Sequence, residues 1–155
     1  MKINVRLTDA GKEIYGEHAD SLIELKKGDW IDLRAAEDVV MEPGEHRIIS
    51  LGIAMELPEG YEAWLLPRSS TYKNYGIMMW NSAGIIDNSY SGNDDIWGFP
   101  AYSPNGTANS LYKIIRKGDR ICQFRVVENQ PKIFFNLVED LGNPNRGGYG
   151  STGVK

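Results

Sequence analysis

The feature that most limits what this chain can fold into is its punctuation. Turn-forming clusters recur along it: Pro43-Gly44, Pro58-Glu59-Gly60, Pro104-Asn105-Gly106 and Lys117-Gly118-Asp119. Proline presets φ and glycine reaches conformations closed to other residues, so each cluster ends an element. Between them lie strand-like runs over 46–57, 61–66, 76–80, 95–102, 111–115, 120–127 and 132–138. Apart from one turn near 69–74, no stretch carries a sustained 3.6-residue apolar period. The pattern predicts an all-β fold of the sandwich, jelly-roll or barrel kind. No repeat, linker or low-complexity block divides the 155 residues, so 1–155 read as a single domain. Residues 9–28 carry no readable signal.

Charge and composition exclude several classes. The net charge of −4 argues against a broad basic surface for nucleic acid. No apolar run approaches the roughly 20 residues of a membrane helix, so no membrane partner is expected. The N-terminus, Met1-Lys2-Ile3-Asn4-Val5-Arg6-Leu7, alternates polar and apolar residues and has no apolar export core. A single cysteine, Cys122, rules out an intramolecular disulfide; with two histidines it cannot build a structural zinc site. This usage fits a reducing, cytoplasmic setting. Cys122 lies in the run Ile121-Cys122-Gln123-Phe124 and reads as a buried structural thiol rather than a nucleophile.

Five polar segments stand out. Asp32 lies between Ile31 and Leu33, in a stretch that continues through Ala36-Glu37-Asp38 to Pro43-Gly44; by itself it reads as a strand carboxylate facing solvent. Pro67-Arg68-Ser69-Ser70-Thr71 follows an apolar strand. It reads as a helix start capped by Ser69 or Ser70, as an anion site at a helix N-terminus, or as both. Asn81 to Gly92 looks like a hairpin with a polar tip, in which Asp87 follows two isoleucines and is either a turn former or a reactive carboxylate. Lys117-Gly118-Asp119-Arg120 turns into a strand that places Gln123 among apolar neighbours, where backbone can satisfy it. From Gly142 onward the chain has almost nothing to bury. It reads as a disordered terminus or as a phosphate clasp, since glycines admit close backbone approach and Arg146 can fork onto phosphate.

In this order the segments resemble the five motifs of the trimeric dUTPase family, over about residues 29 to 153. The first is similar to an Asp-Leu…Ala-Glu-Asp…Pro-Gly motif, and the second to Pro-Arg-Ser-Gly, with Ser70 where glycine is common. The third is similar to Asn…Gly-x-Ile-Asp-x-x-Tyr-x-Gly, the fourth to Gly-Asp-Arg-Ile-x-Gln, and the tail to Arg-Gly…Gly-Ser-Thr-Gly. Each motif alone is weak; five in order are specific.

The resemblance implies a distorted jelly-roll, β-clip-like homotrimer, with residues 142–155 as a flexible arm ordering over a neighbouring subunit's site. It implies hydrolysis of dUTP to dUMP and pyrophosphate. Asp87 would orient and deprotonate the attacking water. Mg²⁺ would be held mainly by the triphosphate, with Asp32 reaching it through water. Arg68, Ser69, Ser70, Gln123, Arg146, Gly147, Ser151 and Thr152 would surround the phosphates. Asn81, with the main chain around Gly84 and Ile86, would read uracil, and Tyr90 would pack on the sugar where a ribose 2′-hydroxyl would clash. Tyr149 would close over the base.

Three departures bear on these expectations. Ser91 and Asn93 stand where the family often has Arg and Glu. The stretch from Gly92 to Lys113 is long and rich in aromatics. The span from Arg146 to Tyr149 is two residues shorter than in the family. An aromatic of the insertion, Trp97 or Phe99, is therefore a candidate to supply or share the lid. Two rivals remain. A dCTP deaminase of the same fold needs a carboxylate beside the base, and no Glu occurs between Glu62 and Glu128; Asp94 and Asp95 are the candidates. A non-catalytic or regulatory nucleotide-binding protein could use the same scaffold.

Overall fold

The structure, a computed structural model, describes residues 1–16, 22, 26–105 and 112–148. Fourteen of its elements matter here. In chain order they are β1 (Asn4–Leu7), α1 (Asp9–Tyr15), β2 (Lys26–Lys27), β3 (Trp30–Arg34), β4 (Val39–Met41), β5 (His46–Ser50) and β6 (Ile53–Glu56). Then come β7 (Tyr61–Pro67), α2 (Thr71–Tyr75), β8 (Met78–Met79), β9 (Gly84–Ile86), β10 (Gly98–Tyr102), β11 (Lys113–Ile115) and β12 (Arg120–Glu128). The strands pair antiparallel throughout. A five-stranded sheet runs β2-β3-β12-β7-β9 and a three-stranded sheet β5-β10-β8; β1-β6 and β11-β4 make two-stranded ribbons. The all-β expectation holds.

The sheets close on one core. Leu33, Met41, Ile49, Leu51, Ile53, Leu65, Ile77, Phe99, Ile115 and Ile121 are all buried in it. Along β12, buried Cys122 and Phe124 alternate with half-buried Gln123 and Arg125, so one face of the large sheet packs inward and the other carries polar groups; Ile121 is buried as well, at the register shift between Arg120 and Cys122. Cys122 is fully buried, as its apolar run indicated, and burial pushes its thiol well above the ordinary range.

The structure departs from the sequence reading in several elements, and β1 to β4 add strands that the predicted runs did not include. The run 46–57 is two strands, not one. It breaks at Gly52, whose φ of +69° admits glycine and little else, and Gly52 accepts a hydrogen bond from the Thr8 backbone N–H at 3.0 Å. Helix α1 packs against this break. A Cβ on Gly11 would meet the Gly52 carbonyl oxygen at 2.1 Å, so glycine is required at the contact. This helix lies in the stretch that carried no readable signal. Its cues are local: Thr8 caps it by accepting from the Gly11 N–H at 3.0 Å, and Gly16 ends it. Finally, 132–138 form no strand within the chain. Residues 129–148 have no regular structure, and Phe134, Phe135 and Leu137 are 80%, 94% and 99% exposed. The arm expected from 142 therefore begins about a dozen residues earlier.

Candidate active site

At one end of the large sheet, three strands bring a carboxylate and its cations together. The register sets Gln123 of β12 opposite both Asp32 of β3 and Leu66 of β7. One step on, β7 ends at Pro67 and the chain turns through Arg68 into α2. Asp32 accepts from Arg68 Nε at 3.0 Å on one oxygen and from Arg120 Nη1 at 3.2 Å on the other. Arg68 also donates from Nη1 to the Arg120 carbonyl at 3.3 Å, and Gln123 Nε2 donates to the Pro67 carbonyl at 3.3 Å. Asp32 is not the solvent-facing carboxylate its flanks suggested. Its side chain is only 12% exposed, while those of Arg68 and Arg120 remain 25% and 37% exposed. One inward anion thus orients two outward cations, a net positive lip suited to a polyanion.

The corner that carries Arg68 is rigid for a reason the capping rule missed. Ser70 takes the cap position of α2 but makes no side-chain capping bond. Thr71 does the fastening: its hydroxyl accepts from the Arg68 N–H at 2.9 Å and donates to the Ile121 carbonyl at 2.7 Å. The Ser70 hydroxyl is left available beside an exposed Ser69. Pro67, Arg68, Ser69, Tyr72, Met78 and Ser82 are among the residues that line a cleft of about 370 Å³.

The carboxylate Asp87 lies elsewhere. Strand β9 adds to the edge of β7 with Gly84 opposite Leu65 and Ile86 opposite Ala63. Gly84 is tight against its neighbour, since a Cβ there would sit 3.3 Å from that of Leu65. Asp87 therefore leaves the sheet level with Glu62, six residues down β7 from Arg68. At about 3.3 Å rise per residue this is a separation of about 20 Å. Asp87 is exposed and closes a turn: Oδ1 accepts from the Ser89 N–H at 2.8 Å, and its carbonyl accepts from the Tyr90 N–H at 3.0 Å. The turn-forming reading of Asp87 holds. The Ser89 hydroxyl, then the Ser89 N–H, lower its pKa. Asn81 and Tyr90 flank β9 on either side and are both exposed. The expected hairpin is instead an edge strand between two turns; the described residues after Asp87 do not pair with β9.

A family model described as dUTPase matches residues 30–153. The chain belongs to the dUTPase family. It is 54% identical over 155 residues to the SPbeta prophage-derived deoxyuridine 5′-triphosphate nucleotidohydrolase of Bacillus subtilis (strain 168), covering 100% of both chains. Its fold is similar to that of the Staphylococcus bacteriophage 80alpha dUTPase solved with dUPNHPP: TM-score 0.75, 23% identity, 99% of each chain covered. It is also similar to a mutant dUTPase from phage phi11 of S. aureus described as coordinating a structural Mg(II) ion: TM-score 0.68, 21% identity, 91% of this chain and 99% of that one covered.

Other expected dUTPase residues fall as follows. Arg146 and Gly147 are exposed in the arm. Tyr149, Ser151 and Thr152 lie outside the described residues. Trp97 and Phe99 are not lid residues. They are 1% and 0% exposed, Trp97 edge-on to Phe124 with ring centroids 5.2 Å apart and Phe99 opposite Ile49 in the β5–β10 ladder. Two bulky aromatics next to a sheet gain more by filling its core than by covering a polar cleft. Sequence reasoning quoted Arg120 within a motif yet left it out of the site; the signal was an arginine opening a strand directly after a Gly-Asp turn. Arg34, which donates to the Gly118 carbonyl at 2.6 Å, was missed as part of the same basic end.

The Ser89 contacts predict a pH effect. A carboxylate that serves as a base works deprotonated, and a lowered pKa keeps it so as pH falls; with Asp87 as that base, the acid limb of kcat/KM is expected below the usual carboxylate value of about 4. Ser89→Ala removes the hydroxyl donor and moves that limb upward. A pH profile unchanged by the substitution would show that Asp87 does not set the limb.

Proposed function

We infer that this dUTPase hydrolyses dUTP to dUMP and pyrophosphate, with Asp87 activating the water. The carrying observation is the Arg68–Asp32–Arg120 cluster, a prebuilt triphosphate lip beside the Ser69 and Ser70 hydroxyls. Asp87, open and ionised, orients a water and takes its proton as the water oxygen bonds to the α-phosphorus. The bond from that phosphorus to the bridging oxygen breaks, and pyrophosphate leaves with the electron pair. Arg68, Ser69, Ser70, Gln123 and, from the arm, Arg146, Gly147, Ser151 and Thr152 bind the phosphates. Asn81 and the main chain near Gly84 and Ile86 read uracil, Tyr90 packs on the deoxyribose, and Tyr149 covers the base.

Mg²⁺ fits the donor set as an outer-sphere guest. Among the described residues no cluster of three or more His, Cys, Asp or Glu could hold a metal. Asp32 accepts one guanidinium N–H on each oxygen, which leaves lone pairs for metal-bound water. When bound to the triphosphate, Mg²⁺ supplies charge neutralisation for the leaving pyrophosphate.

The same reading includes a homotrimer whose sites are shared between subunits. Asp87 and Arg68 lie at opposite ends of β7, about 20 Å apart along the strand, which supports drawing the two groups of one site from different subunits. The arm supports this reading, because Ile133, Phe134, Phe135, Leu137 and Leu141 are exposed apolar groups that a second copy can cover. One core cluster running through the sheets supports a single domain over 1–155. No helix among the described residues is long and apolar enough to cross a membrane, and the single buried thiol supports a cytoplasmic setting. A double variant, Phe134→Asp with Phe135→Asp, is expected to shift sedimentation from trimer to monomer and abolish turnover; an active monomer would refute site sharing.

The deaminase reading is the weaker one. Of its candidate carboxylates, Asp95 is occupied in accepting from the Gly92 N–H at 2.7 Å. The decisive assay incubates the protein and Mg²⁺ with dUTP, dCTP, dTTP and UTP and follows pyrophosphate and ammonia. Pyrophosphate from dUTP alone is expected. Ammonia from dCTP would overturn the assignment, and no turnover would leave the non-catalytic reading.

A further inference from the structure

The loop after Asp87 leads from Asn88 to Ile96 and carries Tyr90. It is partly self-supporting. The Gly92 N–H donates to Asp95 Oδ2 at 2.7 Å, the Asp95 N–H returns to the Gly92 carbonyl at 3.2 Å, and the Tyr90 hydroxyl approaches the Ile96 carbonyl at 3.5 Å. Its far end is pinned by Trp97, whose backbone N–H donates to the Ile53 carbonyl at 2.8 Å and whose ring is buried. Between these anchors the loop stands over the β1–β6 ribbon, with a groove of about 160 Å³ bounded by Asn4–Arg6, Ala54–Glu56 and Ser91–Asn93. Arg6 spans that groove: its Nη1 donates to the Asn93 carbonyl at 2.7 Å. Arg6 itself is placed by the β1–β6 ladder, in which it lies opposite Ala54, next to the residue that pins Trp97.

We propose that Arg6, in the first strand of the chain, is a positioning residue for sugar selection. It holds the Gly92–Asp95 turn down on the ribbon and so sets where Tyr90 stands. The inference rests on the reading that Tyr90 packs against the deoxyribose. Tyr90 is two residues from Gly92, so a lifted turn moves it directly. Asp87 lies further from the Gly92–Asp95 turn than Tyr90 does, at the end of β9, and its carboxylate is held within its own turn by the Ser89 N–H. Loss of Arg6 therefore falls on nucleotide binding and sugar choice rather than on activation of the water.

The test compares the full-length protein with Arg6→Ala and Arg6→Lys. Removing one exposed, charge-assisted hydrogen bond predicts a KM for dUTP raised about five-fold, with kcat within about two-fold of the parent. The preference for dUTP over UTP should fall by a similar factor. Arg6→Lys should restore most of it, since an ammonium can donate to the same carbonyl. Hydrogen exchange at Tyr90 to Asn93 should quicken in Arg6→Ala, with little change in Tm. Unchanged KM and unchanged dUTP/UTP preference would overturn the proposal. So would a fall in Tm and kcat with the preference intact, which marks a merely structural role. Failure of the parent protein to turn over dUTP is a separate outcome and bears on the assigned function instead.

Discussion

Asp87→Asn is expected to lower kcat for dUTP by about 10² to 10⁴-fold, the usual share of a positioned general base. The change is nearly isosteric. The amide oxygen of the substituted side chain can still accept from the Ser89 N–H, and an exposed side chain contributes little to packing, so the turn and the stability should survive. Binding of a non-hydrolysable dUTP analogue should stay within about three-fold, because the groups proposed to bind the phosphates lie on other segments. Single-turnover kinetics with calorimetric binding on the same preparation separate the two effects. A variant that keeps more than about a tenth of parental kcat would mean that another group activates the water.

Trp97→Ala should have the largest effect on stability, at about 3 to 5 kcal/mol. The ring is 1% exposed and edge-on to Phe124, so truncation leaves a cavity where the two smaller elements β6 and β10 meet the large sheet. For a chain of this size the loss corresponds to a fall in Tm of about 10 °C. The result also checks the core role that burial assigns to this residue. A lid would show as a raised KM with an unchanged Tm; a core anchor shows as the reverse, with KM nearly constant at temperatures where the variant is folded. Phe99→Ala, fully buried opposite Ile49, should behave in the same way.

Much of the fold was legible because its cues are local. Turn clusters built on proline and glycine marked strand ends, and the runs between them placed β7 and β12 within a residue or two of their observed bounds. Where the reading failed, a contact distant in sequence was the cause. Nothing between His46 and Leu57 announces a break except Gly52, and the reason for that glycine is Gly11 of α1, forty-one residues away. The arm residues 132–138 have a good strand pattern, but a pattern does not supply a partner, and among the described residues of one chain none is present.

The site divides along the same line. Asp87, with Asn81 before it, Tyr90 after it and four further motifs in order, was enough to place the chain in its family, because the chemistry of a segment depends on residue types and short spacings. Only the tertiary structure decided that Asp32 is shared by Arg68 and Arg120, that Trp97 and Phe99 are core, and that Asp87 lies at the far end of β7 from Arg68. Strand register and burial are set by long-range pairing, which adds hydrogen bonds and removes apolar surface from water. No short window of sequence carries that information.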